Sequence, residues 1–329
     1  MLGAFLALRG SLAHGSEPVR RRVPIHWTSA KPSQPYVMLE VGGVETHALV
    51  DTGASDHVVA RSFVDDARLA TVAIRAQGVD HGAGAMQLRG LAHGQVQIPG
   101  WGPLEPNLST AKDGLAFAVA SVHPRFRELG LGAFVSPQRL VAPGHAVIVD
   151  LARNELVEVP TSHVRAALEA RGDVALFTGG TSACLHGSGP RAGVTWMTDA
   201  LVEGAHAKLL VDTGAAFGDL FRDSSVGRAL LTREGTTASI VTAGQNLETQ
   251  RIDGVALRVG DLQRTELRWN LVESQGKPVC AYDGVLAIDV LRACALAFDG
   301  KSVAGRCARD DSAAQPPKKG ARPKKKRSK

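Results

Sequence analysis

Residues 41–54 read VGGVETHALVDTGA, and residues 202–215 read VEGAHAKLLVDTGA. Each stretch places a glycine-containing polar turn before an apolar run that ends in Asp-Thr-Gly-Ala, and Gly43 and Gly204 both lie eight residues before their aspartate. The two stretches superimpose without a gap, which identifies an internal repeat. An apolar run that ends in Asp-Thr-Gly predicts a strand entering a tight loop, because glycine adopts backbone angles that other residues avoid.

The repeat predicts a paired site. If the two halves pack about a pseudo-twofold axis, the loops meet and Asp51 and Asp212 lie side by side. Two neighbouring carboxylates cannot both ionise cheaply, so they share one proton and titrate as a unit. The ionised member can take a proton from water while the protonated member donates to a carbonyl oxygen. The sequence therefore predicts hydrolysis by an activated water, without a covalent enzyme intermediate.

Further segments follow the two loops in the same order. Each loop is followed by an apolar segment and then by a strand that ends at an aspartate, at residues 128–134 and 146–150 in the first half and 283–291 and 295–299 in the second. With these parts the chain resembles the aspartic peptidases, in both their pepsin-like and retropepsin-like forms, over most of residues 35–300. The resemblance implies an endopeptidase with Asp51 and Asp212 as catalytic residues, without a metal or an organic cofactor.

The resemblance also implies supporting roles within the loops, whose threonines hydrogen-bond across the axis. The supporting residues are Thr52, Gly53, Thr213 and Gly214. Pepsin-like enzymes usually carry a hydroxyl residue three positions after the aspartate, where this chain has Ala54 and Ala215. Because fewer hydrogen bonds to the charged form raise the pKa of a carboxyl pair, we expect an activity optimum at weakly acidic to neutral pH.

Two other features depart from the family pattern. Pepsin-like enzymes place a tyrosine on the hairpin, or flap, that covers the cleft, but Tyr36 and Tyr282 are the two tyrosines and neither lies at a suitable position. By position alone, residues 82–84 (Gly-Ala-Gly) are the candidate flap tip. Ala287 stands where the second apolar segment of the family has a glycine.

The composition favours an all-β fold. Hydrophobic residues make up 44% of the 329 residues, enough to fill two cores, and short valine-rich runs alternate with turn signals. We predict two pseudo-twofold-related β-barrel-like lobes of the acid-protease type with an active-site cleft between them. The predicted units are a leader that is a possible signal sequence or propeptide (1–34), an N-terminal lobe (35–160), a linker (161–174), a C-terminal lobe (175–307) and a disordered basic tail (308–329).

The net charge of +6 comes from the end of the chain. Residues 312–329 hold eight Lys or Arg and no acid, so the remainder has a net charge of about −2. We expect this tail to be disordered and either to aid solubility or to contact an anionic surface. Aromatic residues are sparse and no basic-aromatic motif occurs, so no nucleic acid is expected. The expected partner is a polypeptide substrate, and because one chain supplies both aspartates we expect a monomer.

The cysteines all lie in the second half, at Cys184, Cys280, Cys294 and Cys307. Their spacing is not that of a zinc site, and their even number predicts two disulfides in an exported protein. The alternative is a cytoplasmic protein with buried thiols. Residues 2–8 are apolar and 13–15 offer a small-x-small site, but no positive residue precedes them. These residues therefore belong to a shortened signal peptide or to an unstructured leader.

The sequence favours a peptidase site over three alternatives. The chain could be an inactive peptide-binding protein of the same fold, but both Asp-Thr-Gly triplets are intact, which favours a peptidase. Ser55 and His57 lack a third partner in sequence, so a nucleophile–base pair is not expected. The eleven histidines show no metal-binding spacing, and no metal site is predicted.

Overall fold

The computed structural model describes residues 19–74, 77–80, 84–91, 95–106, 108–109, 115–187, 192–274 and 279–308. Most of these residues form β-strands. The strand Pro35–Val41 shows why, since its apolar residues alternate between buried and half-buried positions with the period of two that a pleated strand requires. Of the two predicted segments at the chain ends, residues 1–18 of the leader and residues 309–329 of the basic tail lie outside the described residues.

The first half of the chain contains strands β1 to β13. Their bounds are β1 Arg21–Pro24, β2 His26–Trp27, β3 Pro35–Val41, β4 Val44–Val50, β5 Val58–Ala60, β6 Thr71–Val72, β7 Gln77–Asp80, β8 Gly84–Leu91, β9 Val96–Ile98, β10 Gly102–Pro103, β11 Leu108–Ser109, β12 Leu115–Ala120 and β13 Leu131–Val135. Helices α1 (Arg61–Asp66) and α2 (Pro124–Glu128) connect them.

The remaining strands follow in chain order. They are β14 His145–Asp150, β15 Glu155–Pro160, β16 Val174–Leu176, β17 Thr181–His186, β18 Gly193–Val202, β19 Ala205–Val211, β20 Gly218–Phe221, β21 Thr236–Val241, β22 Asn246–Val259, β23 Leu262–Val272, β24 Gly284–Leu286, β25 Cys294–Phe298 and β26 Val303–Cys307. The helices are α3 Val164–Glu169, α4 Ser225–Leu230 and α5 Ile288–Leu291, with 3-10 turns at Pro137–Leu140 and Thr161–His163.

Two large curled sheets repeat one topology. The first contains the order β3-β4-β13-β5-β12-β8, and the second contains β18-β19-β24-β20-β23-β22. In both, the strand before the aspartate pairs in parallel with the strand of the apolar segment, as β4 with β13 and β19 with β24. A further pairing between β18 and β22 curls the second sheet towards a barrel. The all-β prediction with two related lobes is therefore confirmed.

The hairpins that deliver the aspartates have matching turns. Gly42 and Gly43 have positive φ values between β3 and β4, and Glu203 and Gly204 have them between β18 and β19. Positive φ at both central residues gives the turn twist that suits a two-residue hairpin. The polar turns of the sequence repeat thus set the register of β4 and β19, which end directly before the two aspartates.

A third sheet joins the two halves of the chain. Its six strands run β1-β15-β14-β25-β26-β16, so strands from both predicted lobes and from the predicted leader share one sheet. Part of the predicted leader belongs to the folded structure, since β1 pairs with β15 and Arg21 lies 3.3 Å from the buried carboxylate of Glu158. The predicted linker also belongs to it, since α3 packs Ala167 and Leu168 against this sheet.

Each large sheet has a barrel face and an opposite face. Val50 and Val211, the residues just before the aspartates, belong to the main hydrophobic core. Leu49 and Leu210 point the other way, into two smaller clusters. Because side chains alternate along a strand, each aspartate lies on the same side as the leucine two residues earlier. This side of each sheet is called the aspartate face below.

Two disulfides join parts of the C-terminal half. Cys184 bonds Cys280, and Cys294 bonds Cys307 across β25 and β26. The prediction of two disulfides is confirmed, and their pairing is set by strand neighbours that the sequence alone does not reveal. Such bonds persist in oxidising compartments. Within the described residues no helix is both long and apolar enough to cross a membrane.

Candidate active site

Equivalent backbone bonds hold the two aspartates at the ends of their strands. The amide of Asp51 donates to the carbonyl of Val135 at 2.9 Å, and the amide of Asp212 donates to the carbonyl of Leu286 at 3.0 Å. The acceptors end β13 and β24, the strands of the two apolar segments. The segments noted in the sequence therefore anchor the loops, and the first one extends to Val135, beyond residues 128–134.

The two threonines bind each loop to the other. The hydroxyl of Thr52 donates to the carbonyl of Val211 at 2.8 Å and accepts from the amide of Thr213 at 3.0 Å. The hydroxyl of Thr213 donates to the carbonyl of Val50 at 2.6 Å and accepts from the amide of Thr52 at 3.1 Å. These four bonds obey the pseudo-twofold symmetry and are buried, so they fix the distance between the loops.

We predict that Thr52→Val or Thr213→Val lowers the free energy of unfolding by about 1–3 kcal/mol, because each leaves a buried amide and a buried carbonyl without a partner. Urea denaturation measures the effect. Thr236→Val is the matched control, since Thr236 is exposed on β21. Equal stability of the three variants would contradict the bracing role.

The loops bring the two carboxyl groups together across the axis. A Cβ atom built on Gly53 would lie 2.6 Å from Oδ2 of Asp212, and one on Gly214 would lie 2.9 Å from Oδ2 of Asp51. Only glycine leaves room for the opposite carboxyl group at these positions. The two carboxyl groups also share a hydrogen bond with each other. This explains the glycine in both triplets.

The environment makes the pair hard to ionise fully. Burial raises the pKa of Asp51 well above its ordinary value, and the charge of Asp212 and the hydrogen bond between the two carboxyls raise it further. Burial also raises the pKa of Asp212, but hydrogen bonds from the Gly214 amide, from Asp51 and from the Ala215 amide oppose this. Asp51 is therefore the member that holds the shared proton, and Asp212 is the member that ionises first.

Backbone amides contribute to this difference, in addition to the charge and the hydrogen bond between the two carboxyl groups. Oδ1 of Asp212 accepts from the amides of Gly214 at 2.7 Å and Ala215 at 3.2 Å, whereas Oδ1 of Asp51 accepts from the amide of Ala54 at 2.9 Å. The positions after both triplets thus contribute backbone donors and no hydroxyl. Burial, rather than the absence of a hydroxyl, is the first cause of the raised pKa values.

Two glutamines that the sequence analysis missed support the loops. The side-chain amide of Gln138, a buried residue, donates to the carbonyls of Thr52, Ala54 and Val194 at 2.9–3.0 Å. Gln34 donates to the carbonyl of Gly214 at 2.7 Å. Gln138 follows the first apolar segment by three residues, so its place in the repeat was the available signal. Nothing in the sequence pattern singled out Gln34.

Two further carboxyl groups belong to this region, since Asp219 lies near Asp212 and Asp289 lies near Asp219. Burial raises the pKa of Asp219 to about 7, the hydrogen bond from Asn270 lowers it, and the charges of Asp212 and Asp289 raise it. Burial also raises the pKa of Asp289 to about 7. The Asn270 amide donates to Oδ1 of Asp219 at 2.8 Å. Asp219 lies seven residues after Asp212, where the first repeat has Val58, and this difference between the repeats was the signal for it.

His57 lies in the interior and hydrogen-bonds the backbone. Its ring is buried and Nδ1 accepts from the amide of Ser136 at 3.2 Å. Burial, with the charge of Arg139, lowers the pKa of His57 to about 3, so the ring is neutral at ordinary pH. This environment agrees with the expectation that His57 does not act as a base for Ser55.

Each lobe carries a hairpin at the equivalent place in its sheet. In the first lobe β7 pairs with β8, and Asp80 faces Gly84 across the turn. Residues 82 and 83 of the predicted flap tip lie outside the described residues, and Gly84 begins β8. In the second lobe β21 pairs with β22, and the carbonyl of Ala243 at its turn accepts from the amide of His123 at 2.6 Å. The second hairpin thus contacts the first lobe, a contact that the sequence analysis missed.

Neither sequence comparison places the chain in a family. No family model matches it. No curated protein matches it in sequence. Among solved structures the chain is similar to the aspartic proteinase from Irpex lacteus, at 10% sequence identity and a TM-score of 0.46, over 90% of this chain and 100% of that chain. Among the described residues, no group of three or more His, Cys, Asp or Glu side chains could hold a metal ion.

Proposed function

We propose that the protein is an aspartic endopeptidase that hydrolyses peptide bonds with a water activated between Asp51 and Asp212. One observation carries the proposal: each carboxyl group lies against the glycine of the opposite loop, and four threonine bonds hold the two loops together. The resemblance of both Asp-Thr-Gly loops to those of the aspartic peptidases supports the same reaction.

The proposed first proton transfers follow from the order in which the two carboxyl groups ionise. Ionised Asp212 takes a proton from the attacking water, and protonated Asp51 donates to the carbonyl oxygen of the scissile bond. The water oxygen bonds the carbonyl carbon and gives a tetrahedral diol. Collapse of the diol breaks the C–N bond, and a proton passes from the pair to the leaving nitrogen. The products are a carboxylic acid and an amine, and no metal or organic cofactor takes part.

The same proposal extends to partners and location. The substrate is an extended polypeptide whose backbone adds to strand edges beside the cleft. Because both aspartates belong to one chain, we propose an active monomer. Two disulfides favour an exported protein over a cytoplasmic one. The basic tail is proposed to contact anionic surfaces rather than nucleic acid.

Mass-spectrometric analysis of cleavage in a peptide library tests the proposed function. The full chain is incubated with the library from pH 3 to pH 8, and the Asp212→Asn variant is the control. We expect new peptide ends with the wild-type protein and none with the variant. Binding of peptides without any cleavage would instead identify an inactive peptide-binding protein of the same fold.

We predict a pH optimum between about 4 and 7, above that of strongly acidic peptidases. The reaction needs one proton on the pair, so activity rises as Asp212 ionises and falls as Asp51 ionises. Burial raises both pKa values and therefore moves this window upward. The measurement is kcat/KM against pH for one cleaved peptide. A maximum near pH 2 would contradict the prediction.

A further inference from the structure

The two lobes differ in a row of three paired residues, one from each of three neighbouring strands, on the aspartate face. In each lobe the row begins seven residues after the aspartate, at Val58 or Asp219. In the first lobe, strand pairing places Val58 beside Ala118 and Ala118 beside Gly90. Val58 packs with the Leu49 cluster on the aspartate face. A Cβ on Gly90 would lie 2.6 Å from a methyl group of Ile74, so this end of the row has no room for a side chain. The row in the first lobe is thus apolar and closed.

The equivalent row in the second lobe is polar. Asp219 pairs with Asn270, and Asn270 pairs with Arg251. Asp219 also pairs with Val285, which packs with Leu210 on the aspartate face. Directly paired residues in neighbouring strands point to the same side of a sheet. Asp219, Asn270 and Arg251 therefore lie on the face that carries Asp212.

Hydrogen bonds connect this row in one direction. The Asn270 amide nitrogen donates to Oδ1 of Asp219 at 2.8 Å, and Nε of Arg251 donates to Oδ1 of Asn270 at 3.4 Å. The buried residues Asp219 and Asn270 thus hydrogen-bond each other, and the side-chain oxygen of Asn270 also accepts from Nε of Arg251. This bond does not engage the terminal nitrogens of Arg251. Among the described residues no carboxylate forms an ion pair with them, although the charge of Arg251 lowers the pKa of the nearby Asp219. The row holds a guanidinium group in a fixed position.

The guanidinium group lies at the loop of the second aspartate. Its carbon lies 5.5 Å from the ring centre of Phe217, which follows Asp212 by five residues in the same loop. Arg251 and Phe217 are both half-buried. Arg268 also lies over this ring, at 6.0 Å, but its Nε is held by Asp253 at 2.8 Å. The charge of Arg268 is thus paired with a carboxylate, whereas within the described part of the chain Arg251 bonds an amide oxygen and forms no ion pair.

We infer that Arg251 binds the carboxylate side chain of an aspartate or glutamate in the substrate, on the C-terminal-lobe side of the scissile bond. A half-buried guanidinium whose terminal nitrogens pair with no carboxylate in the described part of the chain matches a carboxylate in charge and geometry. The inference rests on the proposed function, because it names a substrate class for that site. It adds that the chain cleaves acidic peptides.

A second consequence concerns the direction of the peptide. A pair of aspartates related by a twofold axis does not itself distinguish the two directions in which a peptide can lie. At the position of Phe217 the first lobe has Asp56, which pairs with Arg139 at 3.1 Å. At the position of Arg251 the first lobe has Gly90. Among the described residues this arrangement is present in the second lobe and absent from the first, so a carboxylate bound there fixes one direction of binding.

Matched peptides that differ in one position, Glu or Gln, test the inference. We expect the wild-type protein to cleave the Glu peptide with a kcat/KM about 10- to 100-fold higher, the effect of one charge-assisted hydrogen bond or pair. In Arg251→Ala this ratio falls to about one, and in Arg251→Lys it is intermediate because the lysine keeps the charge but loses the bond to Asn270. Arg258→Ala, which removes an exposed arginine from the same strand, keeps the wild-type ratio.

A binding measurement separates this inference from the proposed function. Isothermal titration of the Glu and Gln peptides into Asp212→Asn, with and without Arg251→Ala, reports recognition in the absence of turnover. Preference for Glu that depends on Arg251 supports the inference even if no peptide is cleaved, a result that would overturn only the proposed function. Equal binding of both peptides, or a preference that survives Arg251→Ala, overturns the inference while leaving peptidase activity intact.

Discussion

Asparagine at position 51 or 212 should lower kcat at least about 1000-fold, since general acid–base catalysis by a positioned side chain contributes roughly 10²–10⁴-fold and each aspartate acts in more than one step. Asp212→Asn removes the group that takes a proton from water. Asp51→Asn removes the donor to the carbonyl oxygen. Single-turnover assays with one cleaved peptide measure the loss. Because asparagine fills the same space, the hydrogen bonds of the threonines should persist.

The control for this prediction is stability. Asparagine resembles a protonated aspartate, so neither variant adds charge to the buried pair, and both should unfold at urea concentrations at least equal to those of the wild type at pH 7. A loss of activity together with a large loss of stability would indicate damage to the loops. Activity within tenfold of the wild type in both variants would rule out the proposed reaction.

The loops were predictable because their determinants are local. Gly43 and Gly204 set matching turns, the apolar runs form the strands, and Gly53 and Gly214 leave space for the opposite carboxyl group. A repeat in sequence then implies a repeat in structure, which is enough to expect a pseudo-twofold axis. The all-β fold and the presence of two disulfides were also predictable from the sequence. Which cysteines pair was not.

The features of the fold and the site that the sequence did not predict depend on contacts between residues far apart in the chain. Asp219 meets Asn270 across 51 residues, and the six-stranded sheet joins Ile148 to Ala297. Strand β1 falls within the predicted leader, but the buried carboxylate of Glu158 gives Arg20 and Arg21 a partner in the folded sheet. A single sequence can single out one member, as the difference between the repeats does for Asp219, but it does not show which distant residue is its partner.

The second large effect expected is a loss of stability as pH rises from about 4 to about 7. Burial raises the pKa of Asp219 to about 7, above the ordinary value of 3.8. A group whose pKa is raised in the folded state stabilises it fully below the unfolded pKa, and this contribution is lost as pH rises through the folded pKa. A displacement of this size corresponds to about 4 kcal/mol for a buried group. Asp289 changes stability in the same direction.

Asp219→Asn isolates the effect. The variant keeps an oxygen that accepts from Asn270 and cannot ionise, so it should be more stable than the wild type by about 2–4 kcal/mol at pH 8 and by much less at pH 4. Urea denaturation at both pH values gives the difference. Asp65→Asn, at an exposed carboxylate on α1, should change stability little at either pH. If Asp219→Asn and the wild type lose stability equally between pH 4 and pH 8, Asp219 is not the group that binds the proton on folding.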